Sequence, residues 1–338
     1  MIGKLVAQKG LFMHLFRRAL TQSAIWAGSV LCGTLALAAP VSLPPQLVDP
    51  DRISTSGISS GGYMAVQMHV SYSALIKGAA VIAGGPYACA QTGKGEQANL
   101  QRALGPCMAG TYSLWQRTWC FWGLATCAGT NAPDVAGAVA ATRQHASAGA
   151  IDPVANLMTH PVLLISGTSD DTVRPVVMDA LAAYYRNFVR AEKLRYEKIP
   201  GAGHTFPTDS YRQGNPCSSA VSPFISDCRF DAAGRILKHL FGNLQPRNEG
   251  PPRGTLIEFD QAEFLNAPES KSMARTGWLY VPERCASKRC RLHVAFHGCQ
   301  QSASPAAVRR TCRLQPLGRY QRHRGSLSPD CCLGRHPV

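Results

Sequence analysis

A five-residue segment near the start of the chain has the residue types of a strained serine turn. It reads Gly57-Ile58-Ser59-Ser60-Gly61, which matches the pattern G-x-S-x-G. In this pattern the serine lies on a sharp turn between a strand and a helix, and the flanking glycines allow the bend without Cβ clashes. The helix that follows directs its positive end at developing negative charge. The pattern predicts a nucleophile at Ser59, and the alternative is a simple Gly/Ser turn.

A serine nucleophile needs a base and an acid, and two later loops offer them in the chain order Ser, Asp, His. A predicted strand ending at Ser166 leads to Asp170 and Asp171, and another ending at Ile199 leads to a Gly-rich loop with His204. The carboxylate would orient the imidazole, which would take the serine proton. We expect Asp170 rather than Asp171 to be the acid. The alternatives are a helix-capping aspartate and an ordinary loop histidine. Six other histidines compete by residue type: His69, His145, His160, His239, His293 and His297.

The negative oxygen that forms during serine attack needs two amide donors. One is the N–H of Ser60, the residue after the nucleophile. The second normally comes from a loop after an early strand, but no such loop precedes Ser59. A strand that leads to His297-Gly298-Cys299-Gln300-Gln301 occurs late in the chain instead. This order predicts a circular permutation, in which strands that usually precede the serine turn have moved to the C-terminal end.

The elements that must position these residues follow an α/β pattern. From Asp51 onwards, short apolar runs alternate with helical stretches, which predicts one sheet covered by helices. The predicted strands are Arg52–Ser56, Ala79–Ala83, Pro161–Ser166, Leu194–Ile199 and Arg291–Phe296. The predicted helices are Gly61–Val70 and Pro175–Ala191, each with apolar residues on one face. The segment Gln245–Gly254 is interpreted as a linker between two lobes of the sheet.

The first 38 residues have the pattern of a secretory signal peptide. A basic region ends at Arg18, an apolar run covers Ala24–Ala36, and Ala36 and Ala38 form an A-x-A cleavage site. The run is shorter than the ~20 residues of a membrane span, so we prefer cleavage after Ala38 to an uncleaved anchor. We therefore expect secretion and no stable membrane anchor.

Thirteen cysteines support an oxidising compartment, because reduced cytosolic chains rarely carry so many. A zinc site would need close cysteine pairs with matching partners, which the spacing does not supply. The local pairs Cys217–Cys228 and Cys285–Cys290 are candidate disulfides, and the connectivity of the other cysteines stays open.

The net charge of +15 raises the question of a nucleic-acid partner. Residues 1–38 contribute +4 of it and residues 303–338 contribute +6, which leaves +5 for the middle of the chain. That is an ordinary solvated surface, so we expect no nucleic-acid partner.

Residues 303–338 depart from the pattern of the preceding chain. They carry seven arginines against one acid, and we predict no strand or amphipathic helix there. One interpretation is a basic interaction tail. We favour an out-of-frame or truncated end, because Arg, Gly, Pro, Cys and Leu dominate the shifted reading of GC-rich codons. The catalytic domain is thus expected over residues 39–302, and incomplete.

Four segments together resemble the poly(3-hydroxybutyrate) depolymerase family, and most closely its single-domain, circularly permuted type. They are Ser56–Ala65, Ser166–Asp170, Gly203–Thr208 and Leu292–Cys299, within a likeness that runs from about Asp51 to Ser302. The resemblance implies a circularly permuted α/β-hydrolase with a small disulfide-tied insertion. It implies Ser59 as nucleophile, Asp170 as acid and His204 as base, with the amides of Ser60 and Cys299 as oxyanion donors. The Cys299 thiol would then be structural and disulfide-bonded.

The resemblance also implies the reaction, which is hydrolysis of esters that link 3-hydroxyalkanoate units, through an acyl-enzyme and without metal or cofactor. We expect a polyester or oligoester substrate and a monomeric protein. The substrate-binding residues stay unidentified. The aromatic-rich insertion Cys107–Cys127 either contacts the polymer or forms its own core. The alternatives are a feruloyl or acetyl esterase of the same fold, and an inactive fragment or non-catalytic binding protein.

Overall fold

The strands and helices are taken from a computed structural model that describes residues 41–91, 94–108, 132–209, 214–242, 244, 247, 253–264, 276–301 and 329–332. The strands are β1 (Val41–Ser42), β2 (Val48–Ile58), β3 (Ile76–Ile82), β4 (Val162–Gly167), β5 (Leu194–Ile199), β6 (Phe206–Thr208), β7 (Asn215–Pro216), β8 (Ile225–Asp227), β9 (Gly254–Asp260), β10 (Thr276–Pro282), β11 (Cys290–Phe296) and β12 (Pro329–Cys332). The α-helices are α1 (Ser60–Ser71), α2 (Glu96–Leu104), α3 (Val135–Ser147), α4 (Pro175–Tyr185) and α5 (Ala232–Phe241). None of the helices in these ranges has the length and apolar character needed to cross a membrane.

The main sheet is parallel and has the strand order β12-β11-β2-β3-β4-β5. Strand β4, which lies between β3 and β5, is apolar on both faces. Val162 and Leu164 pack with residues of α1, α3 and α4, whereas Leu163 and Ile165 pack with residues of α5 on the other face. Parallel sheets are usually covered on both sides, and their strands therefore read as continuous apolar runs. This is why the sequence predicts β4 so clearly.

The late strand β11 lies beside β2, the strand that leads to the serine turn. Phe296 is opposite Gly57 and His293 is opposite Ser54 in the parallel register. The two strands come from opposite ends of the chain, as the predicted circular permutation requires. The mixed α/β architecture with a parallel sheet agrees with the predicted fold class.

Two smaller sheets accompany the main one. Strands β1, β9 and β10 form the first, in which β10 is antiparallel to β9. Strands β6, β8 and β7 form the second. The predicted linker Gln245–Gly254 lies mostly outside the described residues, and its last residue begins β9.

Three disulfides are present among the described residues. Cys217–Cys228 and Cys285–Cys290 confirm the two predicted local pairs. The third joins Cys89 to Cys107 and thus fixes the start of the predicted insertion. The rest of that insertion, including Cys120, Cys127 and all its aromatic residues, lies outside the described residues.

Some predicted boundaries are wrong. The helix predicted over Pro175–Ala191 is α4, which ends at Tyr185. The side-chain NH₂ of Asn187 donates to the carbonyl of Ala183 and so competes with the backbone hydrogen bond that would continue the helix. The tail was predicted to hold no strand, but β12 pairs in parallel with β11. Strand pairing at a sheet edge uses backbone groups, so it needs no recognisable side-chain pattern.

Candidate active site

Ser59 lies at the bend between β2 and α1, where its backbone has φ 57° and ψ −127°. Its N–H donates to the carbonyl of Ile82 at 3.0 Å, and its carbonyl accepts from the N–H of Tyr63 at 3.0 Å. A non-glycine residue in such a conformation costs roughly 1–3 kcal/mol and persists only where surrounding structure holds it. The bend has the form predicted for a strand-to-helix turn with a nucleophilic serine.

Gly61 allows the first turn of α1 to touch the end of β11. A Cβ atom at this position would overlap the carbonyl groups of Phe296 and His297. The close approach brings the loop after β11 next to the serine turn, so that a Cβ on Gly298 would lie 3.0 Å from the Cβ of Ser59. The second glycine of the motif is therefore required by a tertiary contact as well as by the local bend.

Asp170 and His204 form a buried hydrogen-bonded pair. Asp170 Oδ2 lies 2.8 Å from His204 Nδ1, and the two residues are 4% and 5% exposed. The other carboxylate oxygen accepts from the N–H groups of Thr172 at 2.9 Å and Val173 at 2.8 Å. Asp171 is exposed, and its carboxylate contacts Thr172 Oγ1 at 3.4 Å. The structure thus brings Asp170, and not Asp171, to His204.

The loops that carry the pair are joined by backbone hydrogen bonds. Ser169 N–H donates to the carbonyl of Ala202 at 2.9 Å, and Gly201 N–H donates to Thr168 Oγ1 at 2.8 Å. Gly203 N–H donates at 2.9 Å to the carbonyl of Cys217, a residue of the Cys217–Cys228 disulfide. These contacts fix both loops at the carboxyl edge of the parallel sheet, the same edge at which Ser59 follows β2.

Tyr63 connects the helix after the serine turn to the disulfide at the start of the insertion. Its hydroxyl donates to the carbonyl of Cys107. Burial raises the pKa of Tyr63, and the negative charge of Asp170 raises it further. The phenol therefore stays protonated at neutral pH and remains a hydrogen-bond donor.

The loop after β11 presents Cys299 at the same edge of the sheet. The N–H of Gly298 is taken by Gln301 Oε1 at 2.6 Å, whereas the N–H of Cys299 has no hydrogen-bond partner among the described residues. The N–H of Ser60, in the first turn of α1, has no acceptor one turn earlier in the helix. These are the two amides that the family resemblance implies as oxyanion donors. The expected disulfide at Cys299 is wrong, because its side chain points outward and its thiol is free and exposed.

The competing histidines are held by hydroxyl groups, other histidines or carbonyl oxygens. Their contacts are His69 with Tyr185 and His160, His145 with Tyr87, His239 with the Lys193 carbonyl, His293 with Ser54 and Ser56, and His297 with the Gly298 carbonyl. Burial lowers the pKa of His69 to about 3, and that of His293 to about 4, so both are neutral core residues at neutral pH. His204 differs from them because its partner is a carboxylate.

Two contacts of the site have no signal in the sequence. The side chain of His293 bridges Ser54 and Ser56 of β2, each at 2.8 Å, and thereby ties β11 to the strand that leads to Ser59. The side chain of Gln301 joins Gly298 to the carbonyl of Pro223. Both contacts connect residues that lie far apart in the chain, so only the fold reveals them.

Curated relatives of this chain are known. It is 43% identical over 285 residues to a poly(3-hydroxybutyrate) depolymerase of Delftia acidovorans, an alignment that covers 83% of this chain and 52% of that protein. It is 38% identical over 278 residues to a polyhydroxybutyrate depolymerase of Talaromyces funiculosus, covering 81% of this chain and 72% of that protein. The chain therefore spans about half the length of the first relative and more than two thirds of the second.

Solved structures share both the fold and the sequence pattern. The chain matches a PHB depolymerase with a serine-to-alanine substitution in complex with an R3HB trimer, at a TM-score of 0.72 and 34% identity, covering 88% of this chain and 83% of that one. It matches the PHB depolymerase of Penicillium funiculosum at a TM-score of 0.69 and 33% identity, with the same coverage of both chains. No protein-family model matches. The predicted α/β-hydrolase fold is confirmed, and the chain belongs to the polyhydroxybutyrate depolymerase family.

Proposed function

We propose that this chain is a serine esterase that hydrolyses poly(3-hydroxybutyrate) or its oligomers through an acyl-enzyme. The observation that carries the proposal is the buried pair Asp170–His204 at the sheet edge that also bears the strained turn of Ser59. A carboxylate, an imidazole and a serine in this order are the parts of a serine hydrolase. The names of the relatives supply the substrate class.

In the first half of the reaction, Ser59 Oγ attacks the ester carbonyl carbon while His204 Nε2 takes the serine proton. Nε2 is the basic nitrogen because Nδ1 carries the proton that Asp170 Oδ2 accepts. The N–H groups of Ser60 and Cys299 donate to the negative oxygen of the tetrahedral intermediate. The intermediate expels the alkoxide of the next unit, which takes the proton from His204 and leaves as a hydroxyl end.

In the second half, water attacks the acyl carbon bound to Ser59, and His204 takes a proton from the water. The second tetrahedral intermediate uses the same two amides. Its collapse releases the carboxyl end of the product and returns the proton to Ser59. Every proton passes through His204 Nε2, so the orientation of this ring controls both halves.

The hydroxybutyrate substrate is preferred over feruloyl or acetyl groups because all the relatives named here are PHB depolymerases, and one is bound to an R3HB trimer. The test is to compare turnover of (R)-3-hydroxybutyrate trimer with that of methyl ferulate and p-nitrophenyl acetate. We expect the trimer to have the highest kcat/KM. A higher kcat/KM on methyl ferulate would contradict the proposed substrate while leaving the esterase mechanism intact.

The nucleophile is tested by a pair of adjacent substitutions. Ser59→Ala should abolish hydrolysis, whereas Ser60→Ala should be much milder because it keeps the backbone N–H that we assign to the oxyanion hole. The Ser60 hydroxyl has no hydrogen-bond partner among the described residues, so its removal breaks no hydrogen bond there. Equal loss in the two variants would show that the serine turn is assigned in the wrong register.

We also propose that the protein is secreted as a monomer, with residues 1–38 as signal peptide and residues 39–302 as catalytic domain, to whose main sheet β12 adds an edge strand. The three disulfides support this location, because such bonds persist in oxidising compartments. N-terminal sequencing of the exported protein should begin at Ala39. A reduced cytosolic protein that keeps Met1 would contradict the proposal.

A further inference from the structure

The side chain of Gln301 joins two loops of the candidate site. It lies two residues after Cys299 and is 8% exposed. Its Oε1 accepts from the N–H of Gly298 at 2.6 Å, and its Nε2 donates to the carbonyl of Pro223 at 2.9 Å. This buried side-chain amide thus accepts a hydrogen bond from the loop after β11 and donates one to the loop beside His204.

We propose that Gln301 is a positioning residue, which holds the oxyanion amide of Cys299 in place relative to Ser59 and His204. The inference rests on the proposed serine esterase. Both side-chain hydrogen bonds of Gln301 go to backbone groups. It acts through the backbone of Gly298 and Pro223.

The contact to Gly298 selects which amide is left for the oxyanion. A second hydrogen bond joins the same two residues, because the backbone N–H of Gln301 donates to the carbonyl of Gly298 at 3.3 Å. With the Gly298 N–H satisfied by Oε1, the next amide, that of Cys299, is the free donor. Gly298 also packs against the serine turn with little space to spare, since an added Cβ would lie 3.0 Å from Ser59 Cβ. A small rotation of this loop would therefore change the direction of the Cys299 N–H relative to Ser59.

The hydrogen bond to the Pro223 carbonyl connects Gln301 to the segment that packs against His204. The residue after Pro223 is Phe224, whose ring meets the ring of His204 edge-on, with 6.4 Å between the centroids. Phe224 is itself fixed, because its carbonyl accepts from the N–H of Phe206 at 2.8 Å. Gln301 therefore connects the loop that offers one oxyanion donor with the segment that packs on His204.

Only glutamine has both groups that these contacts need at this distance from the backbone. Glutamate keeps the acceptor for the Gly298 N–H, but its carboxylate cannot donate to the Pro223 carbonyl. Alanine removes both contacts and leaves the buried Gly298 N–H without a partner. Gln301→Glu and Gln301→Ala therefore separate the two contacts.

Gln261 provides a matched control. It is also a buried glutamine, 5% exposed, and its Nε2 donates to the carbonyl of Thr276 at 2.9 Å. It follows β9 in the small sheet of β1, β9 and β10, whereas the proposed catalytic groups follow strands of the main sheet. Gln261→Ala removes a comparable side-chain hydrogen bond, the one to the Thr276 carbonyl at the start of β10.

The experiment measures kcat and KM for p-nitrophenyl butyrate, and the inhibition constant of butaneboronic acid, whose tetrahedral adduct with serine mimics the oxyanion intermediate. Removal of one oxyanion donor lowers kcat about 10²–10³-fold. Misalignment of that donor should lower kcat by a smaller factor. We expect Gln301→Ala to lower kcat about 10- to 100-fold with little change in KM, and to weaken boronate binding by a similar factor. Gln301→Glu should fall between wild type and Gln301→Ala.

Thermal unfolding separates this role from a structural one. Gln261→Ala should lower the unfolding midpoint as Gln301→Ala does, yet keep wild-type kcat and boronate affinity. The inference is overturned if Gln301→Ala keeps kcat, if its kcat falls while boronate affinity is unchanged, or if Gln261→Ala loses as much activity. A wild-type chain that does not hydrolyse the ester overturns the proposed function and this inference with it. Wild-type turnover with an unaffected Gln301→Ala overturns the inference alone.

Discussion

Replacing Asp170 with asparagine should remove the base function of His204 while leaving the loop in place. The carboxylate oxygen Oδ1 accepts from two backbone N–H groups, those of Thr172 and Val173. In Asp170→Asn the carbonyl oxygen must stay at these two donors, because an NH₂ group cannot accept hydrogen bonds. The NH₂ group then faces His204 Nδ1 and donates to it. The ring proton moves to Nε2, which can no longer take the proton of Ser59.

The expected loss is about 10⁴-fold in kcat, the size of the tautomer effect in serine triads, or roughly 5 kcal/mol of transition-state stabilisation. The neighbouring carboxylate provides the control. Asp171 is exposed and has a single 3.4 Å contact to Thr172 Oγ1, so Asp171→Asn should keep most of the activity. The two substitutions change the net charge equally, so a difference between them cannot come from charge alone.

The assay is initial-rate hydrolysis of p-nitrophenyl butyrate, with thermal unfolding to show that both variants are folded. Proton NMR should show the downfield Nδ1–H resonance of His204 in the wild type and its loss in Asp170→Asn. If Asp170→Asn keeps more than about a tenth of the wild-type kcat, or if Asp171→Asn is equally impaired, the assignment of the acid is refuted.

Three further predictions concern the scaffold of the site. Gly61→Ala should abolish activity and lower the free energy of unfolding by at least ~2 kcal/mol, because the new Cβ overlaps backbone at the end of β11. Urea unfolding measures the loss of stability. Replacing both Cys217 and Cys228 with serine should cost about 3 kcal/mol of unfolding free energy, measured in urea under non-reducing conditions. Burial lowers the pKa of His69 to about 3 and that of His160 to about 4 in the folded protein. Below pH 6.5 the unfolded chain therefore takes up protons at these histidines before the folded protein does, and the free energy of unfolding falls with pH until these values are reached. Unfolding free energy should therefore drop between pH 6.5 and 4, and less steeply in His69→Gln.

Much of the main sheet could be predicted because its strands are local apolar runs. Strand β5 has the predicted bounds Leu194–Ile199, and β4 differs by one residue at each end. Strands β9 and β10 were not predicted, although β10 alternates in burial, with Gly277, Leu279 and Val281 inward. The sequence itself does not alternate, but its continuous apolar and aromatic run Trp278–Val281 is typical of a short strand and could have identified β10. Its antiparallel pairing with β9 has no sign in the sequence of either strand.

The prediction of Ser59, Asp170 and His204 followed from one rule, that a G-x-S-x-G turn is followed by the acid and then the base in loops after later strands. The rule locates loops, but it says nothing of the side chains that fix them. Gln301 and His293 therefore escaped prediction, since a buried glutamine or histidine has no local pattern. The expected Cys299 disulfide was wrong for a related reason, because the orientation of one side chain in a loop depends on the loop's backbone.

The permuted order makes the site depend on contacts between strands rather than on chain continuity. Ser59 follows β2 and the Cys299 amide follows β11, and the two strands come from opposite ends of the described catalytic region. Their relative position is fixed where His293 bridges Ser54 and Ser56. Burial lowers the pKa of His293 to about 4, so at neutral pH the ring has one N–H donor and one acceptor nitrogen. One serine must then accept from the ring and the other must donate to it. This arrangement satisfies both ring nitrogens and holds β11 in register with β2 shortly before the loop that carries the Cys299 amide.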